Sequence, residues 1–306
     1  MNKILSEINE KPQRAFEVLS GPEFSLPLEV PYIGMGSSYF APLCFKYMRI
    51  AIQPEIASEY FTYLSNNKVQ ELAVILSQSG KSSEALWCTG LFKNYIAITN
   101  NTGSPLAKNL NVQKVVSLLA GEEKYSSSKT YINTLLTLFK GFGENITPYV
   151  HLLEKRFSLY QDQGKAMAGA VYQALKQRLI HGIYITGSGP NIGTALEAAL
   201  ILSESTKLSF QGLPLAQYDH GPKETAANSI VMMITSKGDT QERTVSVKKR
   251  IEAAGAQVFT VEEPQADENH SVLYNIVPFN FMAYHLAVLL KVEDTFVVGG
   301  KVTEVQ

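Results

Sequence analysis

The sequence predicts an α/β protein built from two similar halves, each a parallel sheet of about five strands flanked by helices. Short apolar runs typical of buried strands alternate with longer stretches of helical periodicity, which is the pattern of βαβ units. A glycine–serine turn followed by a hydroxyl-rich loop occurs twice, first at Gly36 and Gly80 and again at Gly189 and Gly238. The two spacings, 44 and 49 residues, are close enough to indicate an internal duplication of one α/β unit.

Composition places the chain among ordinary globular proteins. Its 306 residues are 45% hydrophobic and 18% charged, enough to form a sizeable core in one large or two ordinary domains. A net charge of -1 gives no overall field that would attract nucleic acid or an anionic membrane. The first residues lack the apolar core of a signal peptide, and we expect no membrane span. We therefore expect a cytoplasmic protein, with Cys44 and Cys88 buried and reduced.

The first half is expected to cover residues 1–145. An amphipathic helix over residues 1–20 is interrupted by Pro12, since proline is excluded from helix interiors. Apolar runs predict the strands of the first sheet, and a helix over Tyr39–Arg49 follows the first of them. The predicted strands are the run beginning at Pro31 and those at Ile52–Ser58, Leu72–Leu76, Tyr95–Thr99 and Lys114–Leu119.

The second half is expected to cover residues 146–306. Residues 127–178 have helical periodicity almost throughout, with breaks at Gly141, Gly143 and Pro148 that mark the boundary between the halves. After them the strand–turn–helix pattern of the first half returns. The predicted strands are the run beginning at Gly182, Ser229–Thr235, Gln257–Val261 and Leu273–Val277, the predicted helices are Ile192–Ser203 and Glu242–Ala253, and Gln211–Pro214 is predicted to be a turn.

The segment Leu76–Ser83 is the strongest candidate for a binding site. An apolar run enters it like a buried strand and a helical stretch leaves it, so that backbone N–H groups at the helix N-terminus stay free. Those donors, the positive end of the helix dipole and the hydroxyls of Ser77, Ser79 and Ser82 favour an anion, of which a phosphate monoester is the most suitable. Because serine is also a favoured N-cap, a capped turn without a ligand is the alternative.

Groups suited to proton transfer occur in the second half. Glu197 and Glu204 are seven residues apart, so they share one helix face beside apolar surface, where a carboxylate suits proton transfer between carbon atoms. His220 lies in a stiff glycine–proline loop and has a side chain suited to acid–base work. Lys301 follows two glycines in an apolar tail and is a candidate for a Schiff base with a carbonyl substrate. On local grounds, solvated carboxylates, a solvated lysine and a structural histidine are the alternatives.

Motifs for cofactors and metals are weak or missing. The two glycine turns lack the third glycine of a dinucleotide-binding G-x-G-x-x-G motif, because Tyr39 and Ile192 stand in its place. The sequence contains no G-x-x-x-x-G-K-[ST] run, which argues against a P-loop. The five histidines show no metal-ligand spacing. We therefore expect neither a metal nor a cofactor.

Taken together, these segments resemble the sugar isomerase (SIS) family, and within it the isomerase half of glucosamine-6-phosphate synthase. The resemblance covers nearly the whole chain, and its motifs stand in the expected order. They are Glu7–Pro12, Gly36–Tyr39, Glu55–Glu59, Leu76–Gly80, Ser128–Lys129, Ala195–Glu197, His220–Pro222 and Lys301–Thr303. The resemblance implies two tandem SIS domains over residues 1–145 and 146–306, each a doubly wound, flavodoxin-like sheet.

The resemblance also implies a role for each candidate residue. Glu204 matches the glutamate that moves a proton between C1 and C2 of the sugar, and Glu197 matches a further carboxylate of the active site. His220 matches the histidine that opens the sugar ring, which in relatives reaches into the neighbouring subunit of a dimer. Lys301 matches the lysine that contacts the sugar carbonyl. The phosphate-binding positions match Ser38, Ser77, Gln78, Ser79 and Ser82, with Ser37 beside them.

The function implied is that of a phosphosugar isomerase or deaminase, acting on a hexose 6-phosphate that is an amino sugar or a fructosamine. Two departures leave open a non-catalytic sugar-phosphate-binding protein. Ile201 stands where the synthases have a lysine assigned to proton abstraction at C2, and Gln217 stands where they have an acidic residue. Since no glutaminase domain is recognised, the isomerase subunit of a split synthase, with glutaminase on a separate chain, is a further alternative. The role of His220 implies a homodimer.

Overall fold

A computed structural model describes residues 2–65, 68–177, 179–294 and 296–298 of the chain. By their contacts, these residues form two compact units. Unit A consists of residues 10–150 and Val298, and unit B consists of residues 151–297 together with residues 2–9. The candidate residue Lys301 lies outside the described residues.

Unit A contains a five-stranded sheet in which every neighbouring pair of strands runs parallel. The strand order, β2-β1-β3-β4-β5, changes direction between β1 and β3, as in doubly wound flavodoxin-like sheets. In such sheets, ligands bind beyond the carboxyl ends of the strands at this point. The strands are β1 (Pro31–Gly34), β2 (Gln53–Ile56), β3 (Gln70–Leu76), β4 (Phe92–Thr99) and β5 (Val112–Ser117).

The central strands of unit A are buried. All of β1 and the last four residues of β3 are buried. Parallel strands covered on both faces read as continuous apolar runs, which is why the sequence predicts them well. The helices of unit A are α2 (Lys11–Ser20), α3 (Ser37–Tyr47), α4 (Ala57–Glu59), α5 (Ser83–Thr89), α6 (Pro105–Lys108) and α7 (Lys129–Gly141), and α8 (Thr147–Gln177) begins in unit A and continues into unit B.

A buried lysine on α7 fastens the carboxyl end of α2. The ammonium group of Lys140 donates hydrogen bonds to the carbonyl oxygens of Val18, Leu19 and Gly21, at 3.1, 3.2 and 2.8 Å. The side chain of Lys140 is only 4% exposed. A helix leaves its last carbonyl groups without intrahelical partners, so this one cation satisfies acceptors that water cannot reach freely.

Replacing Lys140 with methionine should destabilise unit A by about 2–4 kcal/mol, because three carbonyl groups lose a charged donor in a buried place. Urea unfolding followed by circular dichroism measures the change. The matched control is Lys93→Met, which removes an exposed ion pair with Glu71 and should cost less than about 1 kcal/mol. Equal losses for the two variants would contradict the anchoring role of Lys140.

Unit B contains a four-stranded parallel sheet with the order β7-β6-β8-β9. This repeats the order of the first four strands of unit A, β2-β1-β3-β4. The strands are β6 (Gly182–Gly187), β7 (Phe210–Pro214), β8 (Ser229–Ile234) and β9 (Gln257–Val261). The α-helices are α1 (Asn2–Asn9), α9 (Asn191–Thr206), α10 (Leu215–Asp219), α11 (Gln241–Ala253), α12 (Val272–Asn275) and α13 (Val277–Leu289), and a short 3-10 helical segment covers Pro222–Asn228.

Two predictions for the second sheet are wrong. The run Leu273–Val277, predicted to be a strand, belongs to α12 and the start of α13. A short apolar run fits a buried helix as well as a strand, and periodicity does not separate the two. The predicted turn Gln211–Pro214 forms most of β7, which is an edge strand. Its glycine and proline are more typical of a turn than of a strand interior, which is why the sequence predicts a turn there. Among the described residues, the second sheet therefore has four strands rather than about five.

The amino-terminal helix α1 belongs to unit B, where it packs on α13. Its apolar residues Ile4 and Ile8 are buried. The next helix, α2, belongs to unit A, and it begins beside Pro12. The described part of the stretch predicted to be an amphipathic helix, residues 1–20, is thus divided between the two units.

One helical stretch among the described residues, Val272–Leu289, is long and apolar enough to cross a membrane. In the structure, 78% of it is buried inside the chain. Burial on that scale is typical of a core helix, because a membrane-spanning helix exposes apolar side chains to lipid. Length and composition alone do not separate a membrane-spanning helix from a buried core helix. The burial of this stretch is that of a core helix in unit B.

Candidate functional site

Residues 77–82, which we call the serine loop, fold into a tight turn at the carboxyl end of β3. Ser77 is buried, and its hydroxyl accepts a hydrogen bond from the backbone N–H of Gly80 at 3.1 Å. The same hydroxyl donates to that of Ser82 at 3.2 Å. The Ser79 hydroxyl accepts from the backbone N–H of Lys81 at 3.2 Å. Gly80 has a φ of 64°, a left-handed conformation that favours glycine and lets the chain turn here.

The neighbouring strand β4 anchors the serine loop. The backbone N–H of Ser77 donates to the carbonyl of Ile98 at 3.1 Å. The carbonyl of Gln78 accepts from the N–H of Asn100 at 3.1 Å and from the hydroxyl of Thr99 at 3.2 Å. The ends of two adjacent strands therefore hold the loop, which fixes its polar groups before any ligand binds.

Ser37 and Ser38 lie at the start of α3, after β1. Gly36 in this turn has a φ of 50°. A side chain on Gly34 would lie 2.5 Å from the carbonyl oxygen of Ser38, so glycine there permits the helix to approach the strand closely. Because β1 and β3 are adjacent and parallel, the predicted phosphate-binding residues lie at one edge of the sheet. They are Ser37, Ser38, Ser77, Gln78, Ser79 and Ser82.

A cleft of about 370 Å³ opens beside the serine loop. Two of the predicted residues, Gln78 and Ser79, line it. The other lining residues follow β3, β4 and β5, whose carboxyl ends meet at this edge, so the strand order identifies them where no motif does. The residues that motifs missed are Lys81, Asn100, Asn101, Glu122 and Glu123.

This cleft combines hydrogen-bond donors with acceptors. Lys81 contributes a cation on an exposed side chain. Glu123 contributes a carboxylate that accepts from the backbone N–H groups of Ser128 and Lys129, at 3.0 and 2.8 Å, where α7 begins. These hydrogen bonds hold the carboxylate at the N-terminus of α7, where negative charge is favourable. Donors for an anionic group beside acceptors for hydroxyl groups suit a phosphorylated polyol.

Glu197 and Glu204 lie two turns apart on α9 in unit B. Glu197 is fully buried, and Glu204 is half-buried. The backbone carbonyl of Glu204 accepts a hydrogen bond from the ammonium group of Lys207 at 2.6 Å, at the end of the helix. Ile201, between the two glutamates, is only 1% exposed. The position that holds a lysine in the synthases is thus part of the apolar interior here.

His220 lies at the end of α10, where its backbone N–H donates to the carbonyls of Ala216 and Gln217 at 3.2 Å. The residue is exposed. The carboxylate of the preceding residue, Asp219, accepts from Lys223 at 2.9 Å and from Arg243 at 3.4 Å. These hydrogen bonds lower the pKa of Asp219. This carboxylate is therefore engaged by two cations beside the histidine.

The predicted phosphate-binding residues all lie in unit A, after the adjacent strands β1 and β3, and two of the six, Gln78 and Ser79, line the cleft. Glu197, Glu204 and His220 lie in unit B, and Lys301 falls outside the described part of the chain. Within the described residues, no three metal-ligating side chains form a group that could hold a metal ion. The roles assigned to the individual residues remain predictions.

Sequence comparison relates the chain to known enzymes. No protein-family model matches the chain. It is similar to the glutamine–fructose-6-phosphate aminotransferase (isomerizing) of Pyrobaculum aerophilum, with 26% identity over 328 residues and 93% of this chain covered. The enzyme of the same name from Methanothermobacter thermautotrophicus is 25% identical over 321 residues. The chain spans about half the length of these relatives, 54% in each.

Solved structures share the fold over nearly the whole chain. The C-terminal domain of glucosamine-fructose-6-phosphate aminotransferase from Francisella tularensis has a TM-score of 0.77 and 20% identity, over 94% of this chain and 96% of that one. Glucosamine-6-phosphate deaminase from Thermotoga maritima has a TM-score of 0.74 and 21% identity, over 94% and 93%. Tagatose-6-phosphate ketose/aldose isomerase from Escherichia coli has a TM-score of 0.75 and 14% identity, over 93% and 92%. These likenesses confirm the predicted α/β fold with helices flanking parallel sheets.

Proposed function

We infer that this chain, which resembles the SIS family and the isomerase half of glutamine–fructose-6-phosphate aminotransferases, is an enzyme acting on a hexose 6-phosphate. The proposed reaction is aldose–ketose isomerisation or deamination of an amino-sugar phosphate. The proposed substrate is an amino-sugar or fructosamine 6-phosphate. In this proposal the chain consists of two tandem SIS domains, over residues 1–145 and 146–306, and works as a homodimer.

The serine loop is the observation that carries the proposal. It offers hydroxyl groups and a neighbouring cation, Lys81, at the carboxyl edge of a parallel sheet. The start of α3 lies at the same edge, on the adjacent strand. Hydroxyl groups, a cation and a helix N-terminus form a suitable cradle for a phosphate dianion. Glu122 and Glu123 line the same cleft, and the exposed carboxylate of Glu122 is suited to accept hydrogen bonds from sugar hydroxyls.

In the proposed reaction, the serine loop and Ser38 hold the phosphate group. His220 assists ring opening by moving a proton from the C1 hydroxyl to the ring oxygen. Glu204 then removes the proton from C2 of the open-chain aldose and returns it to C1, through an enediol. Lys301 stabilises the charge that develops on the carbonyl oxygen, and Glu197 is a further carboxylate of the site. With an amino sugar, the same transfer gives an imine at C2, which water hydrolyses to a ketose phosphate and ammonia.

Two other functions are supported by specific observations. A non-catalytic sugar-phosphate-binding protein is favoured by Ile201, whose burial puts an apolar side chain where the synthases have a lysine. The similarity to one half of the aminotransferases favours a split synthase, in which a glutaminase on a separate chain supplies ammonia. Copurification with such a chain distinguishes the split synthase from the other two.

Deuterium exchange tests the proposed function. The purified protein is incubated in D₂O with glucosamine 6-phosphate, glucose 6-phosphate, a fructosamine 6-phosphate, or fructose 6-phosphate with ammonia. Proton NMR then follows the sugar carbons. We expect deuterium at C1 or C2 of one substrate, because a carboxylate that carries the proton exchanges it with solvent. Release of ammonia or amine identifies a broken carbon–nitrogen bond.

Glucosamine without phosphate is the matched control. We expect neither exchange nor line broadening with glucosamine, because it has no phosphate group for the serine loop to bind. Line broadening of a sugar phosphate without exchange at any carbon would contradict the enzyme and support the binding protein. Exchange with the unphosphorylated sugar at the same rate would contradict the role of the serine loop.

A further inference from the structure

The sheets of the two units end in matching glycine turns. In unit A, the turn after β1 contains Gly36 with a φ of 50°, and in unit B, the turn after β6 contains Gly189 with a φ of 53°. Each turn is preceded by a glycine, Gly34 or Gly187, at which a side chain would collide with a backbone carbonyl at the start of the next helix. Both units thus bring the N-terminus of a helix, α3 or α9, close to the end of a central strand.

The loops after β3 and β8 match as well. The N–H of Ser77 donates to a carbonyl of β4 at 3.1 Å, and the N–H of Thr235 donates to a carbonyl of β9 at 2.9 Å. Three residues further on, each loop has a glycine, Gly80 or Gly238. Residues 235–240, which we call the threonine loop, lead into the 13-residue helix α11. The threonine loop is therefore the counterpart of the serine loop.

What lies against the glycine differs between the two loops. A side chain added at Gly80 would meet Ser104, a small residue that follows β4. One added at Gly238 would lie 2.5 Å from Oε2 of Glu268, which follows β9. The other carboxylate oxygen, Oε1 of Glu268, lies 3.4 Å from the position that a Cβ atom on Gly189 would occupy. The carboxylate of Glu268 therefore lies between the glycine turn and the threonine loop.

A buried polar network fixes the backbone at Glu268. Its carbonyl accepts a hydrogen bond from the hydroxyl of Ser271 at 2.8 Å. That hydroxyl accepts from the side-chain amide of Asn191, at the start of α9, at 2.8 Å, and Asn275 donates to Asn191 at 3.3 Å. These three residues are buried. The carboxylate itself accepts from the hydroxyl of Thr240 at 3.5 Å.

The charges of the two loops also differ. Asp239 occupies in the threonine loop the place that Lys81 occupies in the serine loop. Burial and the carboxylate of Asp239 raise the pKa of Glu268. An anion at the threonine loop would meet Asp239 and Glu268 beside the cation Lys237. At the serine loop it would meet Lys81 and Ser104, in a cleft that Glu122 and Glu123 also line.

We propose that unit B contains a second phosphate cradle, built like the serine loop, which the carboxylate of Glu268 occupies and closes to solutes. Glu268 thereby confines phosphate binding to unit A, so that each chain takes one phosphosugar in one orientation. The ligand that the open cradle would take is a phosphate dianion. The likeness to a phosphate site rests on the proposed function of the serine loop, whereas the position of the Glu268 carboxylate does not.

The proposal is tested by giving two positions of unit B the residues that stand at the matching positions of unit A. The double variant Glu268→Ser, Asp239→Lys gives the threonine loop the neighbours of the serine loop. Calorimetric titration with inorganic phosphate counts the sites, and we expect one more phosphate per chain than in the wild type. The control is Glu252→Ser, Glu154→Lys, which makes the same change of charge at exposed positions of unit B and should leave the number unchanged.

Three outcomes would overturn the closed cradle. The first is a folded double variant, judged by circular dichroism, that binds the same number of phosphates as the wild type. The second is an additional phosphate in Asp239→Lys alone, since that exposed substitution leaves the carboxylate of Glu268 in place. The third outcome concerns a double variant that does not fold by itself. Phosphate should restore its folding, whereas chloride at equal ionic strength should not, and failure of phosphate to do so would overturn the proposal.

The same titration separates this proposal from the function proposed for the serine loop. The number of phosphates bound by the wild type tests the serine loop alone. A wild type that binds none would contradict the phosphate role of unit A. A gain of one phosphate in the double variant over that wild type would still support the closed cradle in unit B.

Discussion

Replacing Glu204 with glutamine should lower kcat about 10²–10⁴-fold, the usual contribution of a positioned general base. The amide has the size of the carboxylate but cannot accept a proton from carbon. Glu204 is half-buried near the end of α9, so the substitution should leave the fold of unit B intact. The affinity for the sugar phosphate should stay nearly unchanged, because the proposed phosphate cradle is built from residues of unit A.

Steady-state kinetics and deuterium exchange on the same substrate measure this effect. The matched control is Glu224→Gln, an exposed carboxylate in the short helical segment after His220, which should keep full activity. Full turnover or unchanged exchange in Glu204→Gln would remove Glu204 from the proton transfer. A loss of binding equal to the loss of rate would show a structural role instead.

The burial of Ile201 makes the proton transfer depend on Glu204 in the proposed scheme. In the synthases, a lysine at this place is assigned to proton abstraction at C2. Here the side chain is 1% exposed, and a lysine would have to bury its ammonium group or unpack the helix. In the proposed reaction, the C2 proton therefore passes to a carboxylate on the same helix, that of Glu204.

Sequence patterns predict unit A well because its central strands are buried and recognisable glycine and serine turns follow them. Strands β1 and β3 are covered on both faces, so their apolar runs mark them clearly. The residues that follow them are glycines and serines, since a helix must start close to the strand end. The same patterns fail in unit B where burial is partial. Edge strand β7 carries glycine and proline, and the buried run Leu273–Val277 fits a helix as well as a strand.

Residues that function through tertiary contacts could not be found from local sequence. Glu123 lines the cleft because the ends of β3 and β5 lie at the same edge of the sheet, which only the strand order shows. Gly238 is recognisable in the sequence as the counterpart of Gly80. The carboxylate that fills its turn comes from Glu268, after the next strand, and no pattern near Gly238 indicates it. Local sequence thus predicts the turn at Gly238 but not the carboxylate that lies against it.

Replacing Gly80 with alanine should weaken binding of the sugar phosphate about 10- to 100-fold, which corresponds to about 1.4–2.8 kcal/mol. The φ of 64° strains any residue with a side chain by about 1–2 kcal/mol. The new methyl group would also collide with Ser104 and lie 3.1 Å from the hydroxyl of Thr99. The serine loop must shift, and the hydrogen bond from the Gly80 N–H to Ser77 is lost.

The matched control is Gly90→Ala, at the end of α5 in the same unit. Gly90 has a φ of -73°, and a side chain there meets nothing within 4 Å, so alanine should leave both stability and binding unchanged. Calorimetric titration with the sugar phosphate and urea unfolding measure the two effects separately. Weaker binding of the sugar phosphate in Gly80→Ala, beside the loss of stability expected from the strain, would support the phosphate role of the loop. A loss of stability alone, with the affinity of Gly90→Ala, would mean that the loop positions no ligand, because a displaced cradle must bind its anion less tightly.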